Sequence, residues 1–313
     1  MKKNYNFNLK NKKIWVAGHN GMVGRAITEN LIKNNLEVIT VNRASLDLTN
    51  QSETFEWIKR NSPEVIFLAA AKVGGILANK NDQTGFLYEN LMIQNNIIKA
   101  AADSKVKKLI FLGSSCIYPK ESKQPIKEEA LLSNTLEKSN EGYALAKIAG
   151  LKLCSYYFKE YNKDFITIMP TNLYGPNDNY DLETSHVLPA LINKITFAKK
   201  YKKEKVEIWG TGKPKRDFLH VDDLADAIRF LAENYSSSEP INVGSSKEIS
   251  IKELAETIAK LADWKGSFSY NKRMPDGTML KRLDTTKINH LGWQPKIDIN
   301  TGIKETLEEY EKL

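Results

Sequence analysis

The sequence predicts an α/β protein, a doubly wound parallel sheet with a smaller, interleaved α/β unit, on three observations. From Lys13 onward, short apolar runs of strand length alternate with longer segments of helical period, the pattern of a parallel sheet wrapped by helices. The first strand runs into Gly18-His19-Asn20-Gly21-Met22-Val23-Gly24 and then an amphipathic helix, the context in which a Rossmann-type fold holds a dinucleotide pyrophosphate. After Pro170 the alternation gives way to Pro/Gly/Asn-rich loops and isolated strands, which marks the second unit.

The expected strands lie at 14–17, 38–41, 65–68, 108–112 and 165–169, and the helices between them at 23–33, 52–61, 86–103 and 143–161. Right-handed crossovers place a ligand at the carboxyl ends of these strands. Further strands are expected at 206–209 and 241–243, and 217–234 reads as helix. The chain therefore passes between units more than once: residues 1–170 form the dinucleotide-binding unit with 215–243 returning to it, and 171–214 and 244–313 form the other.

Composition bounds the function. The 313 residues are 41% hydrophobic and 27% charged, an ordinary globular balance. No run approaches the roughly 18 apolar residues of a spanning helix, and the Lys/Asn-rich start carries no apolar signal core, so a cytoplasmic protein without a membrane partner is expected. The two cysteines, Cys116 and Cys154, form neither a disulfide framework nor a metal-ligand spacing, so no metal site is expected. The net charge of +8 suits an anionic ligand, but its densest cluster, 199–205, reads as a solvated stretch, and no nucleic-acid motif accompanies it.

In the cofactor loop, Gly18, Gly21 and Gly24 permit a tight turn, close approach of backbone to phosphate and close helix–strand contact, while Asn20, Met22 and Val23 lie at the helix entrance. The second strand ends Thr40-Val41-Asn42-Arg43, without the acid that accepts hydrogen bonds from an NAD ribose. That favours NADP, with Arg43 the candidate partner of the 2′-phosphate. Asp47 either hydrogen-bonds the adenine or caps the next helix.

Tyr143 and Lys147 stand at i and i+4, hence on one helical face. A nearby ammonium favours phenolate and is expected to lower the tyrosine from its reference pKa of about 10. Gly113-Ser114-Ser115-Cys116 follows the strand at 108–112, where a serine can hydrogen-bond a substrate carbonyl beside the nicotinamide. Cys154 reads as core, and His19, His220 and His290 as local structure.

Together, the glycine loop, the serine after the fourth strand and the Tyr-x-x-x-Lys pair resemble the extended short-chain dehydrogenase/reductase superfamily. Residues 216–223 and 242–244 are similar to motifs of its nucleotide-sugar branch. Within that branch, the segments 69–76, 113–120 and 169–176 resemble the GDP-L-fucose synthase family. The resemblance implies conversion of GDP-4-keto-6-deoxy-D-mannose to GDP-L-fucose, by epimerisation at C3 and C5 and reduction of the C4 ketone with NADPH as hydride donor. It implies Cys116 as base, His186 as acid, Tyr143 as proton donor to O4, Ser114 as carbonyl partner and Lys147 as holder of the cofactor ribose. Further cofactor contacts are implied at Leu112, Gly113, Ser115, Pro170, Thr171, Asn172, Leu173 and His186, and GDP-sugar contacts at Lys194, Trp209, Arg216 and Asp276. A homodimer built from the helices at 86–103 and 143–161 is implied as well. Asn20 departs from the pattern, falling where bacterial members often carry arginine. Two rival readings stand: a nucleotide-sugar epimerase or dehydratase that recycles tightly held NAD, and a non-catalytic NADP-sensing or RNA-associated scaffold.

Overall fold

A computed structural model describes residues 5–274 and 276–313. In the first half, β1 (Ile14–Ala17), β3 (Val65–Leu68) and β4 (Lys108–Leu112) are buried along their whole length. Their residues are apolar apart from Lys108, whose Nζ pairs with Asp164 at 2.8 Å, because helices cover both faces of the sheet. The intervening elements are α1 (Met22–Lys33), β2 (Val38–Ile39), α2 (Gln51–Asn61), α3 (Ile76–Asn81) and α4 (Gln83–Ala102), followed by α5 (Glu141–Tyr161) and β5 (Asp164–Pro170). The second half contains β6 (Asn172–Tyr174), α6 (Val187–Lys200), β7 (Lys205–Trp209), β8 (Lys215–His220), α7 (Val221–Asn234), β9 (Ile241–Val243), β10 (Glu248–Ser250), α8 (Ile251–Leu261), β11 (Ser267–Asn271), β12 (Leu280–Lys281), α9 (Thr286–Leu291) and α10 (Ile299–Tyr310).

The large sheet has the order β2-β1-β3-β4-β5-β9, and every pairing in it is parallel. Successive residues face opposite sides. Ile14 and Val16 join a core with Ile27 and Leu31 of α1 and Leu224, Ile228 and Leu231 of α7. Trp15 and Ala17 join the other, with Trp57 of α2, Ile97 and Ile98 of α4 and Leu151 of α5. The strand order reverses at β1, so a crevice opens at the carboxyl ends of β1 and β3.

In the small unit β8 is central, pairing antiparallel with β10 and parallel with β6 and β12. Helices α6, α8 and α10 close a third core through Leu188, Ile192, Leu254, Ile258, Ile303 and Leu307. Ser250 and Glu253 form a reciprocal capping box at the start of α8, satisfying two of the N–H groups that a helix start leaves unpaired.

The structure departs from the sequence reading at three places. Residues 217–220 are strand, not helix: β8 is hydrogen-bonded to strands on either side, and that pairing overrides local helical propensity. The helix begins only after His220, whose Nδ1 accepts from the Asp222 N–H at 3.3 Å, with Asp222 and Asp223 in the first turn where the helix dipole favours acids. The stretch 215–243 is thus divided, its first six residues in the small sheet and α7 and β9 on the large one. The C-terminal stretch is divided too, because Leu283, Ile288 and Trp293 pack into the two large-sheet cores. Strand β2 is shorter than expected, pairing only through Val38 and Ile39. Among the described residues no helix is long and apolar enough to cross a membrane.

Candidate active site

The crevice starts at the glycine loop. Gly18 has φ +90, and a Cβ there would lie 2.6 Å from the Ala70 backbone nitrogen at the end of β3. A Cβ on Gly24 would lie 2.0 Å from the Gly18 carbonyl oxygen. Both positions therefore exclude side chains by backbone contact, which lets α1 close onto the loop. Gly21 is the N-cap of α1, which has no side-chain cap and no acid in its first turn; its first N–H groups suit a diphosphate. Asn20 Nδ2 donates to Asn42 Oδ1 at 3.0 Å, tying the loop to the chain beyond β2. Arg43 is exposed beside that pair. Asp47 does not cap the next helix: its Oδ1 accepts from the Thr49 N–H at 2.9 Å and hydroxyl at 2.8 Å, which holds its pKa below the ordinary carboxylate value. The cap of α2 is Asn50.

The second wall forms where β4 ends. The Gly113 N–H donates to the Ile168 carbonyl, and a Cβ there would lie 2.3 Å from Met169 Sδ. Ser114 opens a single 3-10 turn, Ser115–Ile117, its Oγ accepting from the Cys116 N–H at 3.2 Å. That turn sets the hydroxyl and the thiol side by side. Helix α5 brings in Tyr143, near enough for the Ser114 hydroxyl to favour its phenolate, and Lys147, whose Nζ donates to the Leu112 carbonyl at 2.8 Å and sits 4.9 Å from the Phe111 ring centroid. Phe86 of α4 meets the Tyr143 ring edge-on at 6.3 Å.

Electrostatics at this wall run against the sequence expectation. Burial pushes the Tyr143 phenol well above 10, the neighbouring Cys116 adds to the rise, and the nearby Ser114 hydroxyl only partly offsets it. Burial lowers the Lys147 ammonium to about 7. Removing a charged group from water outweighs the attraction that the i, i+4 spacing suggested.

The small unit supplies the remaining candidates. His186 is the N-cap of α6. Its surface is accessible, yet surrounding protein lowers its pKa below 6.5. The segment before it is held by Gly75, whose N–H donates to the Thr184 carbonyl at 2.7 Å and whose Cβ, if present, would lie 2.3 Å from the Ser185 oxygen. Lys194 Nζ lies 5.0 Å from the Trp209 ring centroid. Arg216 is within electrostatic reach of Cys116 and Asp276, and burial lowers its pKa, as it does that of Lys194. Both carboxylate oxygens of Asp276 accept from Thr211, at 2.6 Å and 2.9 Å. Thr171 Oγ1 and Asn172 Nδ2 both donate to the Asp217 carbonyl. Cys154 is buried in the large-sheet core.

Ser114, Cys116, Tyr143 and Lys147 thus converge, and His186 arrives on α6. Sequence reasoning missed Lys281, whose Nζ lies 3.8 Å from Cys116 Sγ. It sits on a two-residue strand without a periodic pattern, and only the pairing of β12 with β8 brings it across.

This glycine cradle, the Ser–Tyr–Lys wall and the sheet order have a match among protein families: residues 14–244 fit the model of the NAD dependent epimerase/dehydratase family. The chain belongs to that family. Within this epimerase/dehydratase family it is 49% identical over 302 residues to GDP-L-fucose synthase of Sinorhizobium fredii, covering 96% of each chain. GDP-L-fucose synthase 1 of Arabidopsis thaliana is 48% identical over 304 residues, covering 97% of this chain and 94% of that one. The solved GDP-L-fucose synthetase of Naegleria fowleri bound to NADP superposes with a TM-score of 0.90 at 28% identity, covering 99% of this chain and 97% of that one.

The lowered Lys147 pKa has a measurable consequence for dinucleotide-free protein. Between pH 7 and its unfolded value of 10.5 the unfolded chain binds more protons than the folded one, so stability from this residue rises with pH across that window and is lowest below pH 7. Urea unfolding of wild type and Lys147→Met at pH 6 and pH 10 should show wild type gaining on the variant by about 3–5 kcal/mol. A pH-independent difference would mean that Lys147 stays charged throughout.

Proposed function

We propose that this chain converts GDP-4-keto-6-deoxy-D-mannose to GDP-L-fucose, epimerising C3 and C5 and then reducing the C4 ketone with NADPH. The observation that carries the reading is the Tyr143 phenol within interaction range of both the Ser114 hydroxyl and the Cys116 thiol, which share one turn, in a chain 49% identical to a GDP-L-fucose synthase. NADPH, when bound, supplies the hydride for C4.

The residues divide the remaining work. C3 and C5 both flank the C4 carbonyl, so either proton is acidified by the same ketone. The Cys116 thiolate takes the proton, the electron pair passes to O4, and the Ser114 and Tyr143 hydroxyls hold the resulting oxyanion. His186 returns a proton on the opposite face, which inverts the centre; its lowered pKa makes the protonated ring a stronger acid when it forms. A phenol held above its ordinary pKa stays protonated at neutral pH and is suited to give its proton to O4 during reduction. Lys147, anchored to the Leu112 carbonyl, holds the cofactor ribose. The dinucleotide is held through Gly18 to Gly24 and Leu112 to Ser115 of the large-sheet unit and through Pro170 to Leu173, where the chain crosses into the small sheet, with Arg43 on the 2′-phosphate. The small unit binds the GDP-sugar. Lys194 and Arg216, cations disfavoured by burial, regain electrostatic stabilisation from a diphosphate, and Trp209 offers its exposed ring. Asp276 shapes this mouth through Thr211.

Two copies pair through α4 and α5, which pack together and leave Tyr88, Tyr156 and Tyr161 exposed at 62%, 51% and 64%. Sedimentation equilibrium should return twice the 35.5 kDa chain mass; a monomer at micromolar concentration would overturn the pairing.

Turnover of GDP-4-keto-6-deoxy-D-mannose should consume reduced cofactor stoichiometrically, faster with NADPH than with NADH, and Arg43→Ala should narrow that ratio about tenfold, the scale of one charge-assisted hydrogen bond. Product formed at constant cofactor absorbance would instead favour recycled NAD. Cys116→Ser should slow solvent deuterium uptake at C3 and C5 by roughly a hundredfold or more while reducing an already epimerised ketone at near wild-type rate. Equal loss of both steps would reject the division of labour.

A further inference from the structure

We infer that Lys281 is a positioning residue for the epimerisation base, its ammonium holding the Cys116 sulfur as a proton acceptor beside the carbonyl-binding hydroxyls. The inference rests on the reading of Cys116 as that base. Lys281 Nζ lies 3.8 Å from Cys116 Sγ, a distance at which a sulfur can accept a hydrogen bond. The contact joins a turn after the fourth strand of the large sheet to the edge of the small one.

Its backbone is held on both sides. Through β12, Lys281 stands in register with Arg216 of β8. On the other side, Gln124 Nε2 donates to the Leu280 carbonyl at 3.0 Å, the Arg282 N–H donates to Gln124 Oε1 at 3.0 Å, and the Ile126 N–H donates to the Arg282 carbonyl at 2.8 Å. The chain from 118 to 126 leads directly from the turn that carries Cys116. The ammonium is thus placed by two pairings, neither of which involves its own side chain.

The charged and titratable groups facing the sulfur are Tyr143 from α5, Arg216 from β8 and Lys281 from β12, with Asp276 beyond Arg216. The phenol is protonated, and Asp276 is turned toward Thr211, so the sulfur faces two cations. The thiolate is the reactive form of a cysteine, and adjacent cations are the surroundings that favour it. When it takes the C3 or C5 proton, thiolate becomes thiol and the electron pair moves to O4. The ammonium keeps its own protons throughout and adds none to the balance.

The test compares Lys281→Met and Lys281→Arg with wild type. Iodoacetamide reads Cys116 without substrate, since Cys154 is buried. The pH at which alkylation accelerates should rise by about one unit or more in Lys281→Met. The acid limb of solvent deuterium uptake should move up by the same amount. NADPH binding and reduction of an already epimerised ketone should change less than about twofold, showing that the variant is folded, and Lys281→Arg should restore the wild-type limb. A raised KM for the GDP-sugar without movement of either limb would overturn the inference and make Lys281 a phosphate contact. Unchanged alkylation would overturn it as well. A shifted alkylation profile together with undiminished exchange in Cys116→Ser would leave the ion contact standing and overturn the base assignment on which the inference rests.

Discussion

The two units are held in one geometry by a crossing of only a few residues. Pro170 pairs with Val243 in the large sheet, and Asn172 pairs with Phe218 in the small one. Between them Thr171 donates its N–H to the Val243 carbonyl and its hydroxyl to the Asp217 carbonyl. Asp217 itself is buried, its carboxyl pushed up to about 6, and it accepts from the Ser245 N–H and hydroxyl just after β9. A buried carboxyl is tolerated only with such partners. This joint is short and hydrogen-bonded from both sheets, so Arg216, next to Asp217, is carried to a defined place opposite Cys116. A looser connection would leave the hydroxyl–thiol wall and the cationic wall free to separate.

Burial then sets the chemistry on both walls. It lifts the Tyr143 phenol and lowers Lys147, Lys194 and Arg216. The protein thereby holds a neutral proton donor next to cations that lack water. Such cations attract an anionic ligand more strongly than exposed ones. A dinucleotide and a GDP-sugar both carry a diphosphate, and the glycine cradle at α1 and the cations of the small unit lie at different places in the fold, which allows two anionic ligands to be held at once.

Local sequence made much of this legible where chemistry and contact are close along the chain. The loop from Gly18 to Gly24 needs residues without side chains because backbone meets backbone at 2.6 Å and 2.0 Å. Tyr143 and Lys147 share a helix face through spacing alone, and Ser114 and Cys116 share one turn. The strands at 14–17, 65–68 and 109–112 stand out as unbroken apolar runs, as a sheet covered on both faces favours. The segment 217–220, one acid followed by two apolar residues and a histidine, suits a helix start as well as a strand, and only the strands beside it decide.

By itself the sequence determined the parallel α/β sheet, the dinucleotide loop and the shared helix face of Tyr143 and Lys147, because period, glycine spacing and i, i+4 geometry are local properties. Tertiary structure alone decided the protonation balance, since desolvation depends on what packs over a group and not on its neighbours in the chain. It also decided that Lys281 meets Cys116 across 165 positions. A contact between edges of two sheets leaves no periodic trace in sequence, because each partner obeys only the pattern of its own strand.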